Sequence, residues 1–79
     1  MATKSLTDAI ALKKIMIEKG FKTIGSLSEA AGINRNTLGK VLDGKTQPSA
    51  EVMNKLVEAL NIPPETAGII FFNKDLRSA

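Results

Sequence analysis

One segment near the middle of the chain, Leu27 to Lys45, constrains the fold more than any other feature of the sequence. It reads LSEAAGINRNTLGKVLDGK, and the triplet Gly32-Ile33-Asn34 divides it into two stretches that we interpret as short helices. In the second stretch Leu38, Val41 and Leu42 fall at i, i+3 and i+4, which places them on one side of a helix. The pattern predicts two short helices joined by a tight turn, the second of them buried along one face.

The opposite side of that second helix carries polar side chains. They are Arg35, Asn36, Thr37 and Lys40. Guanidinium, amide, hydroxyl and ammonium groups are suited to contacting phosphates and reading base edges, and a helix of this length suits the major groove of DNA. The arrangement favours a helix-turn-helix unit directed at duplex DNA.

The composition excludes several classes of function. With 79 residues the chain is sized for one small domain, and it contains neither cysteine nor histidine. A disulfide framework, a Cys/His zinc site and histidine base catalysis are therefore excluded, and we expect no enzyme, no metal and no cofactor. The start of the chain lacks a signal-peptide pattern, and no apolar run approaches the roughly 20 residues that span a bilayer. We expect a cytoplasmic protein that does not bind membranes.

The positive charge is concentrated in the first part of the chain. The net charge is +3. Residues 1–45 hold eight Lys or Arg and four Asp or Glu, a charge of +4, whereas residues 46–79 hold three and four, a charge of −1. The half that contains the helix-turn-helix pattern is therefore the basic half, as a surface that binds a polyanion requires.

Apolar spacing and capping residues predict an all-α domain of five helices and no strand. The predicted helices are Leu6 to Lys19, Ile24 to Ala31, Asn34 to about Asp43, Ser49 to Leu60, and Pro64 to Phe72. The first is expected to bury Leu12, Ile15 and Met16, and the second Leu27, Ala30 and Ala31. Either Thr23 or Ser26, the latter with Glu29 in a capping box, is a candidate cap for the second helix. We treat residues 1–79 as one domain with its core at about 6–72 and a frayed tail at 73–79.

From Leu12 to about Phe72 the chain resembles the Cro/C1-type helix-turn-helix family, the lambda-repressor-like DNA-binding domains. The resemblance is carried by LSEAAGINRNTLGKVLDGK, by the polar loop that ends at Pro48-Ser49, and by the helix from Met53 to Leu60. It implies a compact five-helix domain that binds double-stranded DNA, usually at a near-palindromic operator and usually as a homodimer, to control transcription. The small size is more similar to phage or mobile-element regulators than to multidomain repressors.

The resemblance also implies roles for individual residues. Base contacts are expected from the start and outer face of the third helix, at Arg35, Asn36, Thr37 and Lys40. Arg35 is suited to a bidentate pair with guanine and Asn36 to one with adenine, each contributing on the order of 1–3 kcal/mol of discrimination. The candidate phosphate contacts are Lys22, Ser26, Asn34, Lys45 and Thr46. For each lysine, a solvated surface charge is an equally good interpretation.

Three features leave room for protein binding. Many members of the family have Gln where this chain has Ile24, and Asp43 at the end of the third helix would repel a phosphate. The run Ile69, Ile70, Phe71 and Phe72 cannot all face one core on a short helix, so we predict that some of it is exposed and forms a protein interface. The other interpretation is that the run closes the bottom of a small bundle. Self-association is the first interpretation of this run. The alternative function is an anti-repressor or modulator that binds a repressor of the same fold rather than DNA.

One nucleotide-binding motif is matched by residue type, without the secondary structure that the motif needs. Residues Gly39 to Thr46 match G-x-x-x-x-G-K-[ST], the pattern of a phosphate-binding P-loop. A P-loop needs a preceding buried strand and a following helix, and the sequence predicts a helix across its interior instead. We therefore do not expect nucleotide binding.

Overall fold

The computed structural model describes residues 6–73, which form five α-helices and no strand. The helices are α1 (Ala9–Glu18), α2 (Ile24–Ala31), α3 (Arg35–Leu42), α4 (Ala50–Leu60) and α5 (Pro64–Phe71). Helix α2 packs against α3 and α4, α1 packs against α3, and α5 closes the bundle against α1 and α4. The all-α, five-helix prediction is confirmed.

Four of the helices begin at a side chain that caps them. Asp8, Thr23, Asn34 and Ser49 each accept a hydrogen bond from a backbone N–H in the first turn of the helix that follows. Helix α5 instead begins with Pro64, whose missing N–H costs nothing at that position. The structure selects Thr23 as the cap of α2. It also corrects the first helix, which begins at Ala9 rather than Leu6 because Asp8 is its cap.

Twelve buried apolar side chains among the described residues form one core. They are Leu12, Met16, Leu27, Ile33, Leu38, Val41, Leu42, Leu56, Leu60, Ile62, Ile70 and Phe71. Every helix contributes at least one residue to this core, so all five helices belong to one packed unit. The prediction that Ala30 is buried is wrong, since it lies on the exposed side of α2, while Ile15 and Ala31 are half-buried at the edge of the core.

The C-terminal apolar run divides between the core and the surface. Ile70 and Phe71 are 2% and 1% exposed, so they belong to the core and are not available as interface residues. Ile69 and Phe72 are exposed. The split follows from helical geometry, because adjacent residues point about 100° apart and one side of α5 packs against α1 and α4. Of the predicted tail at 73–79, all but Asn73 lies outside the described residues.

The loop between α3 and α4 ties the two ends of the bundle together. Gln47 Oε1 accepts a hydrogen bond from Leu6 N at 2.7 Å and from Thr7 Oγ1 at 3.3 Å, and Gln47 Nε2 donates to Phe71 O at 2.7 Å. Backbone bonds from Asp8 N to Ile70 O and from Asn73 N to Leu6 O reinforce the same junction. The Gln47 side chain and these backbone bonds together hold the segment before α1 and the end of α5 in one place.

Two other sequence predictions can be compared with the fold. The first half of the P-loop pattern, Gly39 to Leu42, lies in α3, and within residues 6–73 no strand precedes it, so the pattern lacks the structural context of a phosphate-binding loop. None of the helices in residues 6–73 has both the length and the apolar character needed to cross a membrane.

Candidate nucleic-acid interface

Helix α3 has one buried side and one exposed side. Leu38, Val41 and Leu42 are fully buried against the rest of the bundle. The other side presents to solvent the four side chains that the sequence nominated, Arg35, Asn36, Thr37 and Lys40. Around the helix axis the four residues spread over about 200°, with Arg35 at one edge, Asn36 and Lys40 in the middle and Thr37 at the other edge, so together they cover the exposed side of α3.

The turn before α3 is held by contacts from three elements. Gly32 ends α2 with φ 70°, a left-handed conformation that glycine adopts without steric cost. Ile33 is buried, and its N–H donates to Ser28 O at 3.0 Å. Lys55 of α4 donates from Nζ to Gly32 O at 3.1 Å and pairs with Glu51 at 3.4 Å. The angle between α2 and α3 is thus set by both local and tertiary contacts.

Asn34 starts α3 and orders its first turn. Its Oδ1 accepts hydrogen bonds from Asn36 N at 2.9 Å and from Thr37 N at 3.3 Å. The side chain that was nominated as a phosphate contact therefore works as an N-cap, and its amide NH₂ is the group left to donate outward. Arg35 and Asn36 follow directly on this ordered turn.

A surface groove separates the start of α2 from the exposed side of α3. It is lined by Ile24, Gly25, Arg35, Asn36, Gly39, Lys40 and Asp43. Two of these residues are glycines, and their lack of side chains opens the groove. A Cβ added at Gly25 would lie 2.9 Å from Arg35 Nη2, so the guanidinium occupies the space that a larger residue would fill.

The other nominated phosphate contacts are exposed but do not line the groove themselves, and each lies within three residues of one that does. Lys22, Lys45 and Thr46 are exposed. Ser26 is exposed as well, but its Oγ donates to Thr23 O at 2.8 Å, so its hydroxyl proton is already committed. Within residues 6–73 the only ion pair joins Lys55 to Glu51, and the cations around the groove have no acidic partner. Their charge is available to an incoming anion.

Asp43 is the one acidic side chain in the groove. It caps the C-terminal end of α3 and is exposed. The carboxylate lies at the opposite end of α3 from Arg35 and Asn36. It therefore opposes close approach of a phosphate at the end of the helix and leaves the first turn unaffected.

Comparison with known protein families identifies the family to which this arrangement of helices belongs. The model of the Cro/C1-type HTH DNA-binding domain family matches residues 11–68, a span that covers α2, α3 and α4 completely and most of α1 and α5. The chain belongs to this family. No curated protein and no solved structure matches the chain. As a Cro/C1-type domain it is a helix-turn-helix DNA-binding domain, and α2 and α3 are the two helices of the motif.

Sequence reasoning missed two residues of this site. Gly25 attracted no attention because its contact with Arg35 joins two helices and leaves no mark in local spacing. Lys55 was not singled out, but it holds the turn of the Cro/C1-type motif through Gly32 O. Lys55 does follow Glu51 by four residues, and this spacing predicts an ion pair but not the contact with the turn.

Proposed function

We propose that this Cro/C1-type domain is a sequence-specific transcriptional regulator of the Cro/repressor type, which inserts α3 into the major groove of its operator. The observation that carries the proposal is the division of α3 into a buried apolar side and an exposed side holding Arg35, Asn36, Thr37 and Lys40. Major-groove edges of the four base pairs differ in their donors and acceptors, so such a surface can distinguish them.

Each exposed residue of α3 has a role that follows from its chemistry. Arg35 donates two parallel hydrogen bonds to guanine O6 and N7, and Asn36 pairs with adenine N6 and N7. Thr37 contacts a phosphate or a thymine methyl group. Lys40 acts as a flexible point charge toward a phosphate or a guanine.

Phosphate contacts on either side of the groove hold the domain in register. The proposed set is Lys22, Asn34, Lys45 and Thr46, and Ser26 is left out because its hydroxyl donates to Thr23 O. Lys22 precedes α2, while Lys45 and Thr46 follow α3, so the cations flank the reading surface in the chain. Contacts of this kind carry little sequence information, but they supply most of the salt-dependent affinity.

A near-palindromic operator requires two copies of the domain. We propose a homodimer whose two α3 helices enter successive major grooves about 34 Å apart, one helical turn of DNA. The exposed apolar residues Ile69 and Phe72 are the proposed starting point for the dimer interface. We further propose that the protein acts in the cytoplasm, where bacterial and phage operators are read.

Selection from a pool of random duplexes tests this function. The full chain should enrich one short, near-palindromic motif, and its affinity should fall steeply with salt, with a slope of about −0.9 for each phosphate contacted. Arg35→Ala should relax preference at one base pair in each half-site, because it removes a base contact. Lys45→Ala should weaken all sequences alike and reduce the salt slope by about one, which makes the two variants controls for each other.

The absence of any enriched motif at physiological salt would contradict the proposal. In that case the chain should be titrated with a repressor domain of the same fold. A stable complex there would identify a modulator in place of an operator-binding protein.

A further inference from the structure

Four large apolar side chains are strongly exposed among the described residues, and all of them belong to α1 and the end of α5. Ile10 is 80% exposed, Ile17 60%, Ile69 67% and Phe72 53%. Helices α2, α3 and α4 carry none. Because α1 and α5 pack against each other and are joined by the bond from Asp8 N to Ile70 O, the exposed apolar surface is confined to one pair of helices.

The outer side of α1 combines apolar and basic residues in one stripe. Ile10, Lys13, Lys14 and Ile17 follow at i, i+3, i+4 and i+7, and all four are exposed. This stripe lies opposite the side of α1 that buries Leu12 and Met16. Helix α1 is therefore apolar on two sides, and the bundle covers only one of them.

The outer side of α5 combines apolar residues with an acidic one. Glu65, Ile69 and Phe72 follow at i, i+4 and i+7, and all three are exposed. The stripe on α5 therefore complements the stripe on α1 in charge, while both present large apolar side chains.

We propose that the outer stripe of α1 in one copy of the chain packs against the outer stripe of α5 in a second copy. Since each copy carries both stripes on neighbouring helices, a two-fold axis produces the contact twice and closes a dimer. The interface buries Ile10, Ile17, Ile69 and Phe72 and places Lys13 and Lys14 beside the partner's Glu65. The inference deepens the proposed function, because it names the surface of the homodimer that an operator requires.

The charges of the two stripes and their position outside α3 indicate that a second copy of the chain binds there. Copies of a chain with a net charge of +3 associate more readily where opposite charges meet at the contact. The α1 and α5 stripes provide that match. Neither stripe includes a residue of α3, so dimerisation leaves Arg35, Asn36 and Lys40 open to DNA.

Charge exchange tests the pairing directly, by sedimentation equilibrium of the full chain without DNA. The double variant Lys13→Glu/Lys14→Glu should raise the dimer dissociation constant by at least about tenfold, because it places acids beside Glu65, and Glu65→Lys should do the same by placing bases together. Combining the three substitutions should restore association. Lys19→Glu/Lys22→Glu changes the net charge equally at exposed positions outside both stripes, so it should leave the dissociation constant within about twofold.

An apolar variant gives a second, independent readout. Ile10→Ser/Ile17→Ser removes exposed side chains, so at concentrations well below the dimer dissociation constant of the parent its thermal unfolding by circular dichroism should match the parent, while its association at higher concentration weakens. A parent chain that stays monomeric overturns the proposal, as does a triple variant that fails to recover association. Charge and apolar changes on α1 that leave association intact would restrict the interface to α5 and also overturn it.

The test separates this interface from the proposed function. A monomer that still enriches an operator half-site overturns the α1–α5 contact and leaves base reading intact. A dimer that follows the charge-exchange pattern but enriches no motif supports the interface and contradicts the proposed binding to an operator. Binding of the monomer to vesicles of anionic phospholipid, abolished by the α1 variants, would reassign the α1 stripe and overturn the proposal.

Discussion

At the scale of single residues, the contact between Arg35 and Gly25 determines where the guanidinium lies. The side chain of Arg35 starts on α3 and ends over the first turn of α2, in space that exists only because position 25 lacks a Cβ. Arginine has many rotamers, and a glycine at position 25 leaves open the one in which the guanidinium lies over the start of α2. Gly25 is therefore a positioning residue for the base contact that we propose for Arg35.

Gly25→Ala should displace the guanidinium without unfolding the domain. The added Cβ would lie 2.9 Å from Arg35 Nη2, which is the far end of a flexible side chain and can move at little cost. We expect a loss of about 1 kcal/mol in discrimination at the base pair that Arg35 contacts, the lower end of the range for a bidentate pair. This loss is measured by competition between the selected duplex and duplexes that differ at that base pair.

A double-mutant cycle provides the control. In the Arg35→Ala background, Gly25→Ala should have no further effect on discrimination, since the displaced group is gone. An equal effect in both backgrounds would show that Gly25 acts through something other than Arg35.

At the scale of elements, α3 is a short helix that contains an unfavourable residue on its exposed side. Gly39 lies in the helix interior with ordinary helical backbone, and an added Cβ would meet no atom within 4 Å. Nothing in the protein itself therefore requires glycine there, although glycine is less favourable than alanine in a helix by about 1 kcal/mol. Gly39 lines the groove and lies between Arg35 and Lys40 in the chain, where the proposed function places a DNA backbone or base edge against α3.

Gly39→Ala should stabilise the free protein and weaken its complex with DNA. We expect a gain of about 1 kcal/mol in the free energy of unfolding, or about 4–8 °C in Tm for a domain of this size. Urea and thermal unfolding followed by circular dichroism measure the first effect, and titration of the selected duplex measures the second. Gly68→Ala, in α5, also adds a Cβ in open space and calibrates the gain in helix propensity. Unchanged DNA affinity would refute close approach at Gly39.

At the scale of the whole molecule, Gln47 connects parts of the chain that are far apart in sequence. Its amide joins the loop after α3 to Leu6 and Thr7 before α1 and to Phe71 at the end of α5. Thr7 is almost completely buried, so its hydroxyl is shielded from bulk water. The loop that carries the proposed phosphate contacts Lys45 and Thr46 is thereby anchored to both ends of the bundle.

Gln47→Ala should destabilise the domain by about 1–3 kcal/mol. The substitution takes partners away from Leu6 N and Phe71 O, and unsatisfied groups of this kind cost more than the bond itself contributes. Urea unfolding followed by circular dichroism suits a chain without tryptophan. Thr46→Ala, at the exposed neighbouring residue, should change stability by less than about 0.5 kcal/mol. A neutral Gln47→Ala would show that the junction is held by its backbone bonds alone.

Comparison of prediction with structure separates local from tertiary information. The N-caps Asn34 and Ser49, the end of α2 at Gly32 and the apolar side of α3 were all predictable, because each depends on residues within one or two turns. The start of α1 was misplaced by three residues because Asp8 caps the helix, and the residues before it instead pair with distant parts of the chain. Ala30 was misassigned since a short helix gives only a weak signal of which side faces inward. The site residues of α3 were predictable from their side chains and spacing. The role of Gly25 was not, because it depends on a contact between two helices.

The sequence by itself determined that this chain forms five short helices around a turn at Gly32, and that α3 has an apolar side and a polar side. These properties arise from hydrogen bonds and side-chain spacing within a few residues, which linear order specifies. Only the tertiary structure decided that Ile70 and Phe71 are buried while Ile69 and Phe72 are not, that Arg35 lies over Gly25, and that Gln47 joins the two ends of the bundle. Those outcomes depend on how the helices pack, and packing brings together residues whose separation along the chain carries no periodic signal.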